Sequence, residues 1–161
     1  MDSGIFIPKD VKPYPKDHEL LSARALAKAG HYVVFLQPDN HKGVKTADVL
    51  LDGIPYEIKA PTGSLKSIER SLKRASKQSL FIVFDCRRMR INNQQAIQRE
   101  LENHLRKQVL IKSLFFINKY GNVVDLSKSR RYHKNAKGVQ RCRMHGSYVL
   151  SLLCRYSTRH L

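Results

Sequence analysis

The dipeptide Asp52-Gly53 is the feature that most constrains the fold of this chain. It separates two short apolar segments, residues 47–51 and 54–60, and Asp-Gly is one of the strongest local signals for a two-residue β-hairpin turn. A turn of this length fixes the register of the paired strands. The predicted cross-strand pairs are Leu51 with Ile54, Leu50 with Pro55, Val49 with Tyr56, and Asp48 with Glu57.

The predicted pairing of Asp48 with Glu57 places two carboxylates directly opposite each other. At a non-hydrogen-bonded pair their Cα atoms would lie roughly 4.5 Å apart, and facing like charges destabilise a sheet. A divalent cation between them removes the repulsion, and a site of oxygen ligands suits Mg²⁺ or Mn²⁺. Asp48 and Glu57 are therefore the predicted metal ligands.

Lys59 follows Glu57 by two positions, so both side chains lie on the same face of the predicted strand. Its ammonium group could orient a water or stabilise negative charge that develops on a phosphate. With Asp48, these residues form a polar patch suited to metal-assisted phosphodiester hydrolysis. The alternative is that these residues form an ordinary exposed cluster of charges on a half-solvated sheet. Such surface ion pairs are common and contribute little to stability.

Helical and strand periodicities alternate along the rest of the chain and predict an α/β domain. The first helix has Asp17 as its predicted N-cap and Gly30 as its stop. The predicted order is helix 18–29, strands 31–36, 47–51 and 54–60, helix 65–77, strand 80–85, helix 92–107, and a hairpin of 114–117 with 122–126. The predicted boundaries are a proline-rich extended arm or linker at 1–16, a domain at 17–126 and, at 127–161, either a basic C-terminal tail or a non-native extension.

The chain carries 30 Lys and Arg against 13 Asp and Glu, a formal net charge of +17. Nucleic acid is the commonest partner that offsets such a charge. A membrane surface is disfavoured because the chain has no Trp and no apolar segment of spanning length. The outward face of the predicted helix 65–77 is the predicted nucleic-acid-binding surface: Lys66, Arg70, Lys73, Arg74 and Lys77. An ordinary solvated face is the alternative.

Two hydroxyl residues, Thr62 and Ser64, join the predicted catalytic strand to that helix. Ser64 is the predicted N-cap, and the free N–H groups of the helix N-terminus could hold a phosphate. The segment 127–161 contains a weak signal for a zinc site. Its candidate ligands are Cys142, His145, Cys154 and His160, and their spacing is unlike that of a standard zinc finger. Three cysteines do not make a disulfide framework, which favours a reducing compartment.

Residues 17–84 resemble the PD-(D/E)xK nuclease superfamily, whose core has an acidic residue on its first helix, an Asp on the second strand and (D/E)-x-K on the third. Here these are Glu19 in DHELLSARALAKAG, Asp48 in TADVLLDG, and Glu57 with Lys59 in YEIKAP; Ala47 stands where the superfamily often has proline. More narrowly, residues 17–126 resemble the C-terminal tRNA-nuclease toxin domains of contact-dependent growth inhibition (CdiA) proteins and their phage-associated relatives.

This resemblance implies a restriction-endonuclease-like αβββαβ core with a central mixed sheet flanked by helices. It also implies a catalytic role for Glu19, although an acidic residue in a first helical turn is common because it favours the helix dipole. The same resemblance implies an RNA substrate, with tRNA favoured, and an acidic immunity protein as partner. It also implies delivery on a larger secreted or phage-associated protein and action in the cytoplasm. A DNA endonuclease on the same core and a non-catalytic nucleic-acid-binding module remain open.

Overall fold

The computed structural model describes residues 4–38, 46–107 and 110–128. These residues form a mixed α/β fold, as predicted. Its strands are β1 (Ile5–Phe6), β2 (Val33–Phe35), β3 (Val49–Leu51), β4 (Ile54–Lys59), β5 (Phe81–Asp85), β6 (Ser113–Ile117) and β7 (Val123–Asp125). Its helices are α1 (Asp17–Lys28), α2 (Lys66–Ala75) and α3 (Gln94–Lys107). The four residues Cys142, His145, Cys154 and His160 lie outside the described part, and so does most of the predicted tail.

One sheet contains the seven described strands in the order of the sequence. β1 pairs with β2 in parallel, and β2, β3 and β4 form an antiparallel meander. The connections through α2 and α3 make β4, β5 and β6 parallel, and β7 returns antiparallel to β6. The predicted mixed sheet flanked by helices is therefore confirmed.

Each face of the sheet covers a separate hydrophobic core. Val83 and Ile58 belong to the core beneath α1, whereas Ile82 and Phe84 belong to the core beneath α2 and α3. Adjacent residues of β5 reach opposite cores because side chains alternate along a strand, which explains its nearly continuous apolar sequence. The same alternation directs Tyr56 and Ile58 of β4 to one face and leaves Glu57 for the other.

The predicted hairpin register is confirmed for three pairs, Leu51 with Ile54, Leu50 with Pro55 and Val49 with Tyr56. The turn residues Asp52 and Gly53 have φ angles of 51° and 82°, as a type I′ turn requires. The fourth predicted pair is wrong as a ladder pair. Asp48 donates its N–H to the Tyr56 carbonyl at 3.1 Å, and Glu57 pairs with Ile82 of β5. β4 therefore changes its partner strand after Tyr56.

Two predicted helix caps are wrong by one residue. Lys16 rather than Asp17 is the N-cap of α1, and Leu65 rather than Ser64 is the N-cap of α2. The Ser64 carbonyl instead accepts the N–H of Ser67 at 2.9 Å and its hydroxyl at 2.6 Å. Strand β1, within the segment predicted to be an extended arm, was not predicted because a two-residue strand leaves no periodicity to detect.

Candidate active site

Asp48 lies directly before β3, at the point where β3 and β4 separate. Its carbonyl accepts the N–H of Leu36 at 3.0 Å, and its N–H is bonded to Tyr56. The separation frees the Ile58 N–H of β4, which donates to Asp48 Oδ2 at 2.7 Å. The carboxylate thus takes the place of the missing strand partner, and this contact fixes its direction.

Glu57 lies in the middle of β4 with only 1% of its surface exposed. Lys59 donates from Nζ to Glu57 Oε1 and also to Gln78 Oε1 at 3.3 Å. Gln78 follows α2, so the helix that crosses between β4 and β5 helps to orient the lysine. Glu57 Oε2 is buried and has no hydrogen-bond partner among the residues that the structure describes. A buried polar atom without a partner is costly, which makes this oxygen a place for a proton or a cation.

The two carboxylates of this site are electrostatically coupled. Burial, and secondly the charge of Asp48, raises the pKa of Glu57 to about 7, against the opposing effect of Lys59. Burial also raises the pKa of Asp48, although the Ile58 N–H and the Lys59 charge favour its ionised form. Asp48 and Glu57 are therefore close neighbours although they are not a ladder pair. Near neutral pH, the two carboxylates together bind part of one proton.

Glu19 lies in the first turn of α1, where its Oε2 accepts the Lys16 N–H at 2.9 Å. This capping contact gives Glu19 a structural role. Its charge also contributes to the raised pKa of Asp48, so the two carboxylates lie near each other, and both line a cleft of about 160 Å³. The structure thus places Glu19 beside Asp48, while its catalytic role stays a prediction.

Within the described ranges, no three His, Cys, Asp or Glu side chains are arranged to hold a metal ion. Glu19 therefore does not complete a cage with Asp48 and Glu57. Mg²⁺ seldom needs such a cage, because it commonly binds one or two carboxylates and completes its octahedron with waters and substrate phosphates. Two carboxylates with one unpartnered buried oxygen fit that mode of binding.

The predicted nucleic-acid-binding face of α2 is exposed, while Ile68, Leu72 and Ala75 anchor its other side in the core. The exposed cations of α2 are Lys66, Arg70, Lys73 and Arg74, and the fifth predicted cation, Lys77, is exposed just after the helix ends at Ala75. Thr62 and Ser64 are also exposed, in the connection from β4 to α2. The contact of Thr62 and Ser64 with phosphate stays a prediction. Gln78, just after α2, contacts the candidate active site by accepting a hydrogen bond from Lys59.

A second buried carboxylate, Asp85, was missed by sequence reasoning. It is 2% exposed, accepts from Ser22 Oγ at 2.7 Å and from Arg87 Nε at 3.0 and 3.1 Å, and forms an ion pair with the same guanidinium. These bonds tie α1, which carries Glu19, to the end of β5. A charged residue that ends the apolar run LFIVFD is the sequence signal that marks it.

Part of the chain matches a known protein family. Residues 45–123 match the family model described as contact-dependent growth inhibition CdiA C-terminal domain. The chain is therefore similar to the CdiA C-terminal domain family over the segment that carries Asp48, Glu57, Lys59 and the cations of α2. Glu19 precedes the matched segment.

A solved structure described as a CdiA-CT/CdiI toxin and immunity complex from Burkholderia pseudomallei also resembles this chain. The alignment has a TM-score of 0.52 and 21% sequence identity, and it covers 73% of this chain and 93% of that one. At this identity the likeness shows a shared fold with the CdiA toxin. No curated protein matched the sequence.

Proposed function

We propose that this protein is a divalent-metal-dependent nuclease of the PD-(D/E)xK type that acts as a toxin domain. The observation that carries the proposal is the convergence of Asp48, Glu57 and Lys59 at the point where β4 changes its partner strand. Two coupled carboxylates and a lysine that is held against one of them form the set of groups that metal-assisted phosphodiester hydrolysis needs. A non-catalytic binding module would have no use for a buried, unpartnered Glu57 oxygen.

The metal ligands in this proposal are Asp48 and Glu57. Glu57 Oε2 is the available ligand atom, because Oε1 already accepts from Lys59. A bound Mg²⁺ or Mn²⁺ would supply Lewis-acid polarisation of a phosphate oxygen. Asp48 Oδ2 is held by the Ile58 N–H, so the direction of its carboxylate is fixed before any ligand arrives.

Lys59 is the residue proposed to act on the phosphate or on the attacking water. Its side chain is 26% exposed, so the ammonium group can reach a substrate while it remains in contact with Glu57 and Gln78. A positive charge at this position stabilises the negative charge that develops on the phosphate oxygens. Glu19, beside Asp48, is proposed as a further catalytic carboxylate.

RNA is the proposed substrate, with tRNA favoured by the resemblance to the tRNA-nuclease toxins. The charge of +17 and the exposed cationic face of α2 support a phosphodiester polymer as substrate and do not separate RNA from DNA. A DNA endonuclease on the same core is the second candidate, and the experiment below distinguishes the two.

An acidic immunity protein is the proposed protein partner, because the resembling solved structure is a toxin and immunity complex. The exposed cations of α2 would attract such a partner electrostatically. Delivery as the C-terminal part of a larger secreted or phage-associated protein, with action in the cytoplasm of a target cell, is proposed on the same ground. In the described residues, no helix has both the length and the apolar composition to cross a membrane.

The test is incubation of the purified protein with total RNA and with plasmid DNA, each in Mg²⁺, in Mn²⁺ or in EDTA. Cleavage of RNA in the presence of metal, lost in EDTA and in Glu57→Gln, supports the proposal. Asp10→Asn, which removes an exposed carboxylate outside the candidate active site and outside α2, is the matched control and should cleave like the wild type. Cleavage of plasmid DNA alone would select the second candidate, and full activity in Glu57→Gln would overturn the assignment.

A further inference from the structure

Glu19 and Asp48 line a cleft whose other described residues lie outside the candidate active site. One wall of the cleft is the segment before α1, which contributes Pro13, Tyr14 and Pro15. A second wall is formed by the end of β2 and the residues before β3. The cleft has a volume of about 160 Å³, and Asp48 is part of its lining. A molecule in it would therefore lie next to a phosphate bound by a metal ion at Asp48 and Glu57.

The wall of the cleft is fixed by a pair of hydrogen bonds. Gln37 accepts the Lys12 N–H through Oε1 at 2.8 Å and donates from Nε2 to the Lys12 carbonyl at 3.1 Å. Two bonds from one amide to one residue hold the segment before α1 against the end of β2. Val11 and Pro15, on either side of the exposed Tyr14, are buried and anchor the segment further. The cleft is thus a built feature of the described fold.

The charges in the cleft disfavour a phosphate group as its occupant. Among the residues that the structure describes, Glu19 and Asp48 supply two carboxylates to the lining of the cleft and Lys16 supplies one ammonium group. Several of the other lining residues are apolar, among them Phe35, Leu36 and the prolines. A neutral, flat group whose polar edge can donate to a carboxylate fits this combination better than an anion does. In a nucleic acid, that group is a nucleobase with an exocyclic amine.

Tyr14 supplies the surface on which such a base can stack. Its side chain is 65% exposed although Val11 and Pro15 of the same segment are buried, so its ring is available to a ligand. Proteins that bind unpaired nucleotides place bases on aromatic rings beside a positively charged surface. The exposed Tyr14 and Lys16, and the basic character of the whole chain, provide both parts.

We propose that this cleft binds one unpaired nucleobase of the substrate strand, stacked on Tyr14 and next to the phosphate that is cleaved. The inference rests on the proposed nuclease function and adds to it a substrate class, a strand with an unpaired nucleotide at the cleavage site. A fully base-paired duplex cannot place a base in the cleft without unstacking it.

The test compares Tyr14→Leu and Tyr14→Phe with Tyr120→Leu, a matched control whose tyrosine is 84% exposed and is not among the cleft residues. Two quantities are measured on a single-stranded RNA oligonucleotide: kcat/KM with Mg²⁺, and Kd in EDTA by fluorescence anisotropy. Stacking of one base corresponds to about a fivefold to a hundredfold change in affinity. We expect a loss of that size in Tyr14→Leu and near wild-type values in Tyr14→Phe and Tyr120→Leu.

A series of oligonucleotides with one abasic nucleotide, moved through the positions beside the cleavage site, completes the experiment. At one position, the wild type and Tyr14→Leu should bind and cleave equally, because the base that Tyr14 contacts is gone. Equal behaviour of Tyr14→Leu and Tyr120→Leu on the intact strand, or equal cleavage of duplex and single strand by the wild type, would overturn the cleft assignment. A wild type that cleaves no nucleic acid would instead overturn the nuclease proposal, and the Kd series would still test the cleft.

Discussion

Asp48 Oδ2 accepts a hydrogen bond of 2.7 Å from the backbone N–H of Ile58, the N–H that the separation of β3 from β4 leaves without a strand partner. One carboxylate thus completes the backbone bonding of the sheet and lies beside a second carboxylate, Glu57. The structural contact and the proposed metal ligation use the same side chain, so variants of Asp48 must separate them.

We therefore expect Asp48→Asn and Asp48→Ala to differ in stability and to agree in activity. Asparagine keeps an oxygen that can accept from Ile58, whereas alanine leaves a half-buried N–H unsatisfied, at a cost of about 1–3 kcal/mol. Both variants lose one charge of the proposed metal site, and both should lose nuclease activity. Urea unfolding curves and RNA cleavage assays on the two variants measure these effects. Equal stability would show that water replaces the carboxylate at Ile58.

Glu57 gives the metal-free protein a pH dependence of defined sign. Its pKa is raised from 4.5 to about 7, so the folded state binds a proton more tightly than the unfolded state does. The contribution of Glu57 to the free energy of unfolding is therefore fully present below pH 4.5 and is lost as the pH rises through about 7. This contribution amounts to about 1.4 kcal/mol for each unit of pKa difference.

The matched variant for this effect is Glu57→Gln, whose amide can still accept from Lys59 through its oxygen and donate towards Asp48. We expect the melting temperature of the wild type in EDTA to fall relative to that of Glu57→Gln between pH 5 and pH 7.5. A constant difference across this range would contradict the raised pKa. The comparison cancels the titration of the groups that are not coupled to Glu57, whereas the titration of Asp48 changes with Glu57.

The sequence predicted what local chemistry determines and missed what distant segments determine. Asp52-Gly53 specifies its own turn, so three hairpin pairs were predicted correctly. Asp48 and Glu57 are not a ladder pair because β5, more than twenty residues later, pairs with β4 after Tyr56. The local sequence of the hairpin does not indicate that β5 will pair there. The bond from Ser22 to Asp85 spans 63 positions and was missed for the same reason.

The cations of α2, together with Lys77 just after it, are expected to account for much of the affinity for nucleic acid. Charge reversal of Arg70, Lys73 and Lys77 to glutamate should weaken binding to tRNA and reduce the slope of log K against log salt, because fewer counterions are released. The matched control reverses three exposed cations of α3, namely Arg99, Arg106 and Lys107, for the same change in net charge. Fluorescence anisotropy at several salt concentrations provides the measurement. Equal losses in the two triple variants would assign the effect to net charge rather than to the face of α2.

The proposed metal site predicts a stabilisation that the basic charge of the chain alone would not produce. Glu57 Oε2 has no donor among the described residues, and Asp48 lies beside it, so a divalent cation relieves the electrostatic cost of this pair. A ligand that binds only the folded state adds about 2.7 kcal/mol at a hundredfold excess over its Kd. Mg²⁺ or Mn²⁺ should therefore raise the melting temperature of the wild type and of Glu69→Gln, whose exposed carboxylate lies on α2. The rise should shrink sharply in Asp48→Asn, which keeps the shape of the side chain and removes one ligand charge. Differential scanning fluorimetry across a metal titration measures the three proteins side by side, and an equal rise in all of them would show that the ion binds elsewhere.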